Sequence, residues 1–566
     1  MPSMKFSKFR GSLRNKIKRV TTTKQYPPFQ VRETRHLIIL PAYTDCKKID
    51  VRYPLLEPFA HAHVYWMPEE KRIQYDVVQP ELTDEDELNL DKIEKALLEL
   101  IDVKISVVKE ETATIEYLEQ KVTSIIDELD ITLPLDRYAR IMYYIYRDFF
   151  GINELEPLMH DPYIEDIDCS GLNSPVFITH RRFGNIQTNV IFQDADVFSK
   201  FIIKLSERAG RYISYASPLL DGSLPDGSRI QASLARDVTT RGPTFSIRRF
   251  RRNPFSPIDI MNMKTASSLV MAYMWFVVQY SASILITGGV STGKTTLLNT
   301  LSMFIPPEDR IISIEDTREI NLPHENWVPS VSRTGFGVPQ ASGKKYGEVD
   351  LFDLLKESFR QNPDYVIVGE VRGKEAYVLF QGMSSGHPSI GTIHAGSADD
   401  VIKRLETPPI ELSTSLIEAL DVLVVMTSAR EKGESARRIK EVVEIQSIDA
   451  KTGRAHTIKS FGWIPSTDAF KENLIDSEVL KRISFERGMS FATILEEITR
   501  RQHILEWMQK FNVVQFGDVA QLINLYYKDP ATILKWVSSG EPPVQRTTKK
   551  GVLETTTTGL RVLRNP

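Results

Sequence analysis

Gly288-Gly289-Val290-Ser291-Thr292-Gly293-Lys294-Thr295 satisfies the pattern G-x-x-x-x-G-K-[ST], and its reading decides the rest of the chain. The apolar run Ser283-Ile284-Leu285-Ile286-Thr287 before it reads as a buried strand. Thr296-Leu297-Leu298-Asn299-Thr300-Leu301 after it reads as the start of a helix, and Pro306-Pro307 ends that helix. Glycines let backbone N–H groups curl around phosphate oxygens, and the helix N-terminus adds positive potential. Lys294 supplies a cation to the β/γ-phosphates, and the Thr295 hydroxyl suits Mg2+. The pattern therefore assigns nucleotide contacts to Gly288, Gly289, Val290, Ser291, Thr292, Gly293, Lys294, Thr295 and Thr296, with ATP and Mg2+ as the implied ligands.

Two further apolar runs end in acids. Ile311-Ile312-Ser313-Ile314 leads into Glu315-Asp316-Thr317-Arg318-Glu319, and Tyr365-Val366-Ile367-Val368 leads into Gly369-Glu370-Val371-Arg372. In an α/β sheet the chemistry gathers at the carboxyl ends of the strands. Glu315 and Glu370 are the candidate catalytic acids. One of them orders Mg2+ while the other positions or polarises the attacking water; Thr295 and Glu370 are the candidate metal ligands. A fourth run, Ser389-Ile390-Gly391-Thr392-Ile393-His394, places His394 where a neutral imidazole can sense the γ-phosphate, although a histidine on a strand is also an ordinary core residue. Arg229, Arg236, Arg241, Arg248 and Arg249 precede the loop; a guanidinium that reaches the γ-phosphate, in cis or from a neighbouring subunit, accelerates transfer. Arg229, Arg241 and Arg248 are the candidates for that role.

Outward from this centre, 566 residues imply several domains, and a composition 42% hydrophobic and 26% charged implies folded protein. Residues 1–150 read as a partly helical N-terminal extension, its first 80 residues short apolar runs split by prolines. Residues 151–247 read as a small α+β domain, 248–257 as a linker, 258–455 as a RecA-like P-loop domain, 456–545 as a helical region and 546–566 as a disordered tail. The stretch 269–286 imitates a membrane span, but Gln279, Tyr280 and serines interrupt it and the phosphate loop follows at once, so it reads as a buried helix feeding a buried strand. The only cysteines, Cys46 and Cys169, exclude a disulfide scaffold and a CxxC zinc site. A net charge of −3 gives no nucleic-acid signal for the molecule as a whole. The segment 1–32 is locally basic, and Phe6, Phe9, Leu13 and Ile17 are spaced to form an apolar stripe on a helix. That segment fits contact with anionic lipid, a dock on a partner protein, or a solvated terminus.

Together these motifs resemble the type II/type IV secretion ATPases over roughly 150–450. GGVSTGKTT is similar to that family's Walker A, IEDTREI to its aspartate box, NPDYVIVGEVRG to its Walker B and GHPSIGTIHAGS to its histidine box. DPYIEDI, LPDGSRIQ and RGPTFSIRRF resemble its N-terminal domain. The resemblance implies catalytic Glu315 and Glu370, sensing histidines His387 and His394, phosphate-contacting arginines within 229–249, and a ring homo-hexamer. It also implies a cytoplasmic motor at the inner face of the membrane, driving pilin-like subunits through a polytopic membrane platform protein, with no specific nucleic acid. No tetracysteine module follows Walker B, and Glu-Asp-Thr replaces Glu-Asp-Pro, which resembles the archaeal pilus and flagellum or tight-adherence branches. The alternative is a DNA-handling RecA-like motor, which needs a basic, aromatic-lined channel.

Overall fold

The computed structural model describes residues 26–33, 40–41, 43, 45–100, 111–234, 237–250, 254–333, 335, 344–431, 434–449 and 455–543. Residues 1–25 of the basic segment, and with them the stripe Phe6, Phe9, Leu13 and Ile17, Arg236 and the tail expected at 546–566 lie outside the described residues. The chain divides into two units, between Phe250 and Arg251.

The first unit is built on ten strands: β1 (Arg32–Glu33), β2 (Asp50–Glu57), β3 (Ala60–Met67), β4 (Arg72–Val78), β5 (Ile164–Cys169), β6 (Pro175–His180), β7 (Gly184–Ile191), β8 (Leu219–Ser223), β9 (Arg229–Ser233) and β10 (Thr244–Arg248). They form one sheet in the order β1-β2-β3-β4-β7-β6-β5-β10-β9-β8. The sheet is continuous across residue 150, where the sequence suggests a boundary, because β4 pairs in parallel with β7. Residues 50–78 thus form an antiparallel meander, where the sequence alone shows short apolar runs split by prolines. Pro54, which made the segment read as broken, sits at a register shift in β2, where a missing N–H costs the ladder least.

A buried carboxylate ties this meander to the rest of the unit. Asp161 is fully buried and accepts from the Tyr53 and Tyr75 hydroxyls, each at 2.7 Å, and from the Tyr163 N–H at 2.7 Å. Its backbone carbonyl accepts from the Arg249 guanidinium. Burial and the Asp161 charge keep both phenols protonated. Asp161→Ala would leave two buried hydroxyls and a buried N–H without their acceptor, so urea denaturation should show a loss on the order of 3 kcal/mol. A loss below about 1 kcal/mol would show that solvent replaces the carboxylate.

The second unit carries β11 (Ile284–Gly288), β12 (Ile311–Glu315), β13 (Trp327–Val331), β14 (Tyr365–Val371), β15 (Ser389–Ile393), β16 (Val422–Glu431), β17 (Glu434–Ile448), β18 (Ala455–Ile464) and β19 (Ala469–Glu472). Their order is β13-β12-β14-β15-β11-β16-β17-β18-β19. From β13 to β16 the neighbours are parallel; β16 to β19 form an antiparallel meander. The parallel strands β11, β12 and β15 are buried along their whole length, the expected state of strands covered on both faces. The pair β18–β19 extends into residues that read as helical in sequence, before the helices Glu478–Arg487, Phe491–Lys510, Phe516–Lys528 and Pro530–Ser539.

Those C-terminal helices explain the membrane-like stretch. The helix Ser268–Gln279 is apolar all round, and Val270 to Val278 are all buried in one cluster with Ile494, Ile498, Leu505, Met508 and Ile523. Trp275 stacks on Phe304 with ring centroids 5.3 Å apart, and Arg501 lies over both Trp275 and Phe276. Tyr273 donates to Glu444 at 2.7 Å, and that carboxylate also accepts from Ser460, Ser477 and the Val479 N–H. Among the described residues no helix is long and apolar enough to cross a membrane. The mixed α/β fold, with a P-loop unit after an α+β unit and helices at its end, is the class the sequence implies.

Candidate nucleotide site at the carboxyl edge of the second sheet

β11 delivers its chain into the loop 289–293, and the helix Lys294–Ser302 leaves from it. Two glycines are required by the geometry. A Cβ on Gly288 would stand 2.6 Å from Thr292 Oγ1 and 2.8 Å from the Met426 carbonyl, and Gly293 caps the helix with φ +91°. Val290 is exposed at the loop crest, and Thr295 and Thr296 are half-buried in the first helical turn. The Thr292 hydroxyl donates to the Gly289 carbonyl at 3.0 Å, which closes the loop on itself.

The order of the parallel strands brings three of the expected side chains together. β15 lies directly beside β11, so His394, one residue past β15, meets Lys294. Lys294 Nζ donates to the carbonyls of Gly288 at 3.1 Å and Gly289 at 2.8 Å, and stands 3.2 Å from His394 Nδ1. His394 Nε2 stands 3.2 Å from Glu370 Oε1. An ammonium can only donate, so Nδ1 accepts and the proton of a neutral ring sits on Nε2, pointing at the carboxylate. Burial and then the Lys294 charge hold the imidazole below its usual pKa, which favours that neutral ring.

Glu370 reaches this position through a register shift in β14 between Val368 and Val371, the kind of irregularity that re-aims a side chain. Burial alone would raise its pKa, but the Arg372 hydrogen bond and charge, then His394 and Lys294, outweigh that and hold it low. Arg372 donates to Glu370 Oε2 and lies 3.6 Å from Asp316 Oδ2, so it ties the ends of β12 and β14 together. Nothing in the sequence marks Arg372 for this role. Thr392 donates to the Gly369 carbonyl at 2.6 Å and fixes the shifted segment from below.

Glu315 behaves differently. It is buried at the end of β12, its Oε1 accepting from the N–H groups of Glu319 at 2.8 Å and Ile320 at 2.9 Å. Its Oε2 is buried with no hydrogen-bond partner among the described residues. Gly369 makes room for it, since a Cβ there would come within 3.1 Å of Glu315 Cγ. Burial pushes the carboxyl up to about 7, and the two backbone donors only partly oppose that. Folding therefore tightens this proton: the ionised form costs stability above pH 7, and the cost disappears as pH falls toward the ordinary 4.5. Glu315→Gln should raise the melting midpoint at about pH 8, by up to about 3 kcal/mol in stability, and give no advantage at about pH 4.5. Equal midpoints at the higher pH would contradict this placement of the charge.

The other expected residues lie elsewhere. His387 precedes β15 and packs against Phe359, ring centroids 5.3 Å apart, at the opposite end of the strand from His394. Arg229, Arg241 and Arg248 belong to the first unit. Arg229 Nη2 pairs with Asp221 at 3.3 Å, Arg248 Nε with Asp166 at 3.2 Å, and Arg241 is exposed with its carbonyl on the Leu172 N–H. Arg249 is a strut on the carbonyls of Asp161 and Ile164.

ATP and Mg2+ fit the residues present. The loop is a cradle that a Cβ at Gly288 would fill, with one lysine beside it. Glu370, held low, suits a hard cation, and Thr295 is placed at the first turn to share it. Among the described residues no group of three His, Cys, Asp or Glu could hold a metal ion by itself.

Residues 154–460 match the type II/IV secretion system protein family. An uncharacterized protein of Methanocaldococcus jannaschii is 31% identical over 536 residues, 90% of this chain and 93% of that protein. The conjugal transfer protein TrbB of Rhizobium radiobacter is 33% identical over 244 residues, 40% of this chain and 68% of that protein. Among solved structures, the VirB11 ATPase of the Brucella suis type IV secretion system, in complex with sulphate, is 25% identical, covering 51% of this chain and 92% of that one with a TM-score of 0.26. On the family match and the near full-length relative, this chain belongs to the type II/IV secretion system protein family.

Proposed function

We propose that this chain is a Mg2+-dependent ATPase, working as a homo-hexameric motor that assembles or secretes type IV pilus-like filaments. The chain Lys294–His394–Glu370 carries the reading: a P-loop cation, a neutral imidazole and an ionised carboxylate in direct succession. ATP with Mg2+ supplies an electrophilic γ-phosphorus and a metal that offsets the charge on its oxygens. Lys294 exchanges its contacts with Gly288, Gly289 and His394 for phosphate oxygens, which frees Nδ1 of His394. The change reaches Glu370 and Arg372 through the ring, so phosphate occupancy alters how the ends of β14 and β12 are held. Glu370, kept ionised by its neighbours, would hold the metal with Thr295, and Glu315, poised near neutrality, would accept the proton of the attacking water.

Family membership supports the motor, its station at the inner face of the membrane and a polytopic platform protein as the partner through which pilin-like subunits are moved. The lack of any cysteine after Cys169 supports the archaeal-type branch. In the assembled ring, phosphate contact is assigned to the surface arginines Arg229, Arg241 and Arg248. Sedimentation should show a hexamer with a non-hydrolysable ATP analogue and smaller species without it. A strict monomer with full ATPase activity at every concentration would overturn the ring. The conjugal transfer relatives favour a second reading, a motor that acts on DNA. Stimulation of turnover by single-stranded DNA, and not by membranes bearing the platform protein, would select it.

A further inference from the structure

The phosphate loop is held from outside by a residue the motif does not contain. β16 runs past the end of β11, from the level of Gly288, which pairs with Met426, to Ser428 and beyond. Opposite Ser428, β17 places Arg437. Neighbouring residues of a strand point to opposite faces, and the adjacent arginines Arg437 and Arg438 divide accordingly. Arg438 is buried, with Nε and Nη2 on Asp468 at 2.8 and 3.0 Å and Nη1 on the Met263 carbonyl at 3.1 Å. Arg437 is exposed on the loop side, and its Nε donates to the Ser291 carbonyl at 2.9 Å.

Two residues inside the loop 289–293 have backbones in the left-handed region, Ser291 at φ +58° and Gly293 at φ +91°, and Arg437 touches both. Its aliphatic stem lies over Gly293, where an added Cβ would stand 3.3 Å from Cδ, and its Nε fixes the carbonyl of Ser291. Glycine adopts this conformation freely, whereas serine does so only at a cost that some contact must offset. We propose that Arg437 is a positioning residue for nucleotide binding, which clamps the loop crest in the left-handed turn that aims its N–H groups at phosphate. The inference rests on the ATP-binding reading and adds to it a residue distinct from the arginines of 229–249.

The test is the affinity of the full chain for a fluorescent MgATP analogue. Arg437→Ala should weaken binding about 5- to 30-fold, the factor that the left-handed penalty of one residue represents. The turnover number at saturating ATP should stay within about threefold, because a clamp acts on binding and not on the chemical step. Introducing Ser291→Gly into the Arg437→Ala protein should recover most of the affinity, since glycine needs no clamp. A general loss of folding would not be rescued that way. Binding of Arg437→Ala within about twofold of wild type, or no recovery with Ser291→Gly, would overturn the clamp. Recovery by Arg437→Lys without recovery by Ser291→Gly would also overturn it, and assign the residue to charge alone. Wild-type protein that binds no nucleotide would overturn both this inference and the reading beneath it.

Discussion

Replacing Lys294 with alanine is expected to lower phosphate release from MgATP at least about 10²- to 10³-fold, the range lost when one preorganised donor to developing charge is removed. The ammonium is buried, faces the carbonyls of Gly288 and Gly289 and the Nδ1 of His394, and no second lysine stands in the loop. Burial holds its pKa below the usual value, with Glu370 acting in the opposite direction. Alanine removes the cation and the link from loop to His394 together. Affinity for nucleotide should fall as well, so the measurement is phosphate release at saturating ATP beside a binding titration. Turnover within about tenfold of wild type would show that this loop is not where the chemistry occurs.

Glu370→Gln has the second large effect, with the opposite signature in binding. The amide keeps the shape of the carboxylate, but its single oxygen can take the place of only one of the two acceptors, that of the Arg372 guanidinium or that of His394 Nε2. The charge is lost together with one acceptor oxygen, and with the charge goes the means to hold a divalent cation firmly. Turnover should fall roughly 10²-fold or more while nucleotide stays bound. Because Arg372 then faces Asp316 as its one ionised partner of the two, the ion pair at 3.6 Å becomes its main anchor, and Glu370→Gln/Asp316→Asn should cost more stability than either change alone. Normal hydrolysis by Glu370→Gln would move the metal-binding role to another residue.

The parts of the site legible in the sequence are those that local chemistry encodes. A glycine-rich turn between an apolar strand and a helix needs no distant partner to be recognised, and β11 with the helix Lys294–Ser302 lies where that pattern puts them. Glu315 and Glu370 were visible as acids at strand ends, but their unlike environments were not. Those depend on Gly369 leaving space for Glu315 and on the register shift that turns Glu370 outward. Arg372 and Arg437 carry no signal in the sequence because their roles come from strand order: one needs β12 beside β14, the other needs β16 and β17 to run past the loop.

The same contrast holds for the fold. The helices Asp84–Leu100 and Glu111–Glu128 lie within the extension that reads as partly helical. The meander β2–β4 was hidden because prolines broke the pattern, and its place depends on Tyr53 and Tyr75 meeting Asp161 far along the chain. A hydroxyl-to-carboxylate contact over such a separation leaves no periodic trace. The apolar stretch 269–286 could be read correctly only in part: its burial was evident, but not that helices at the far end of the chain would provide it.

Phosphate release by the purified full chain, with MgATP and then with the metal chelated, bears most directly on the central claim. The geometry of Lys294, His394 and Glu370 predicts turnover that saturates with ATP, requires Mg2+ and disappears in Glu370→Gln while that variant still binds nucleotide. Wild-type protein that neither binds MgATP saturably nor releases phosphate would contradict it.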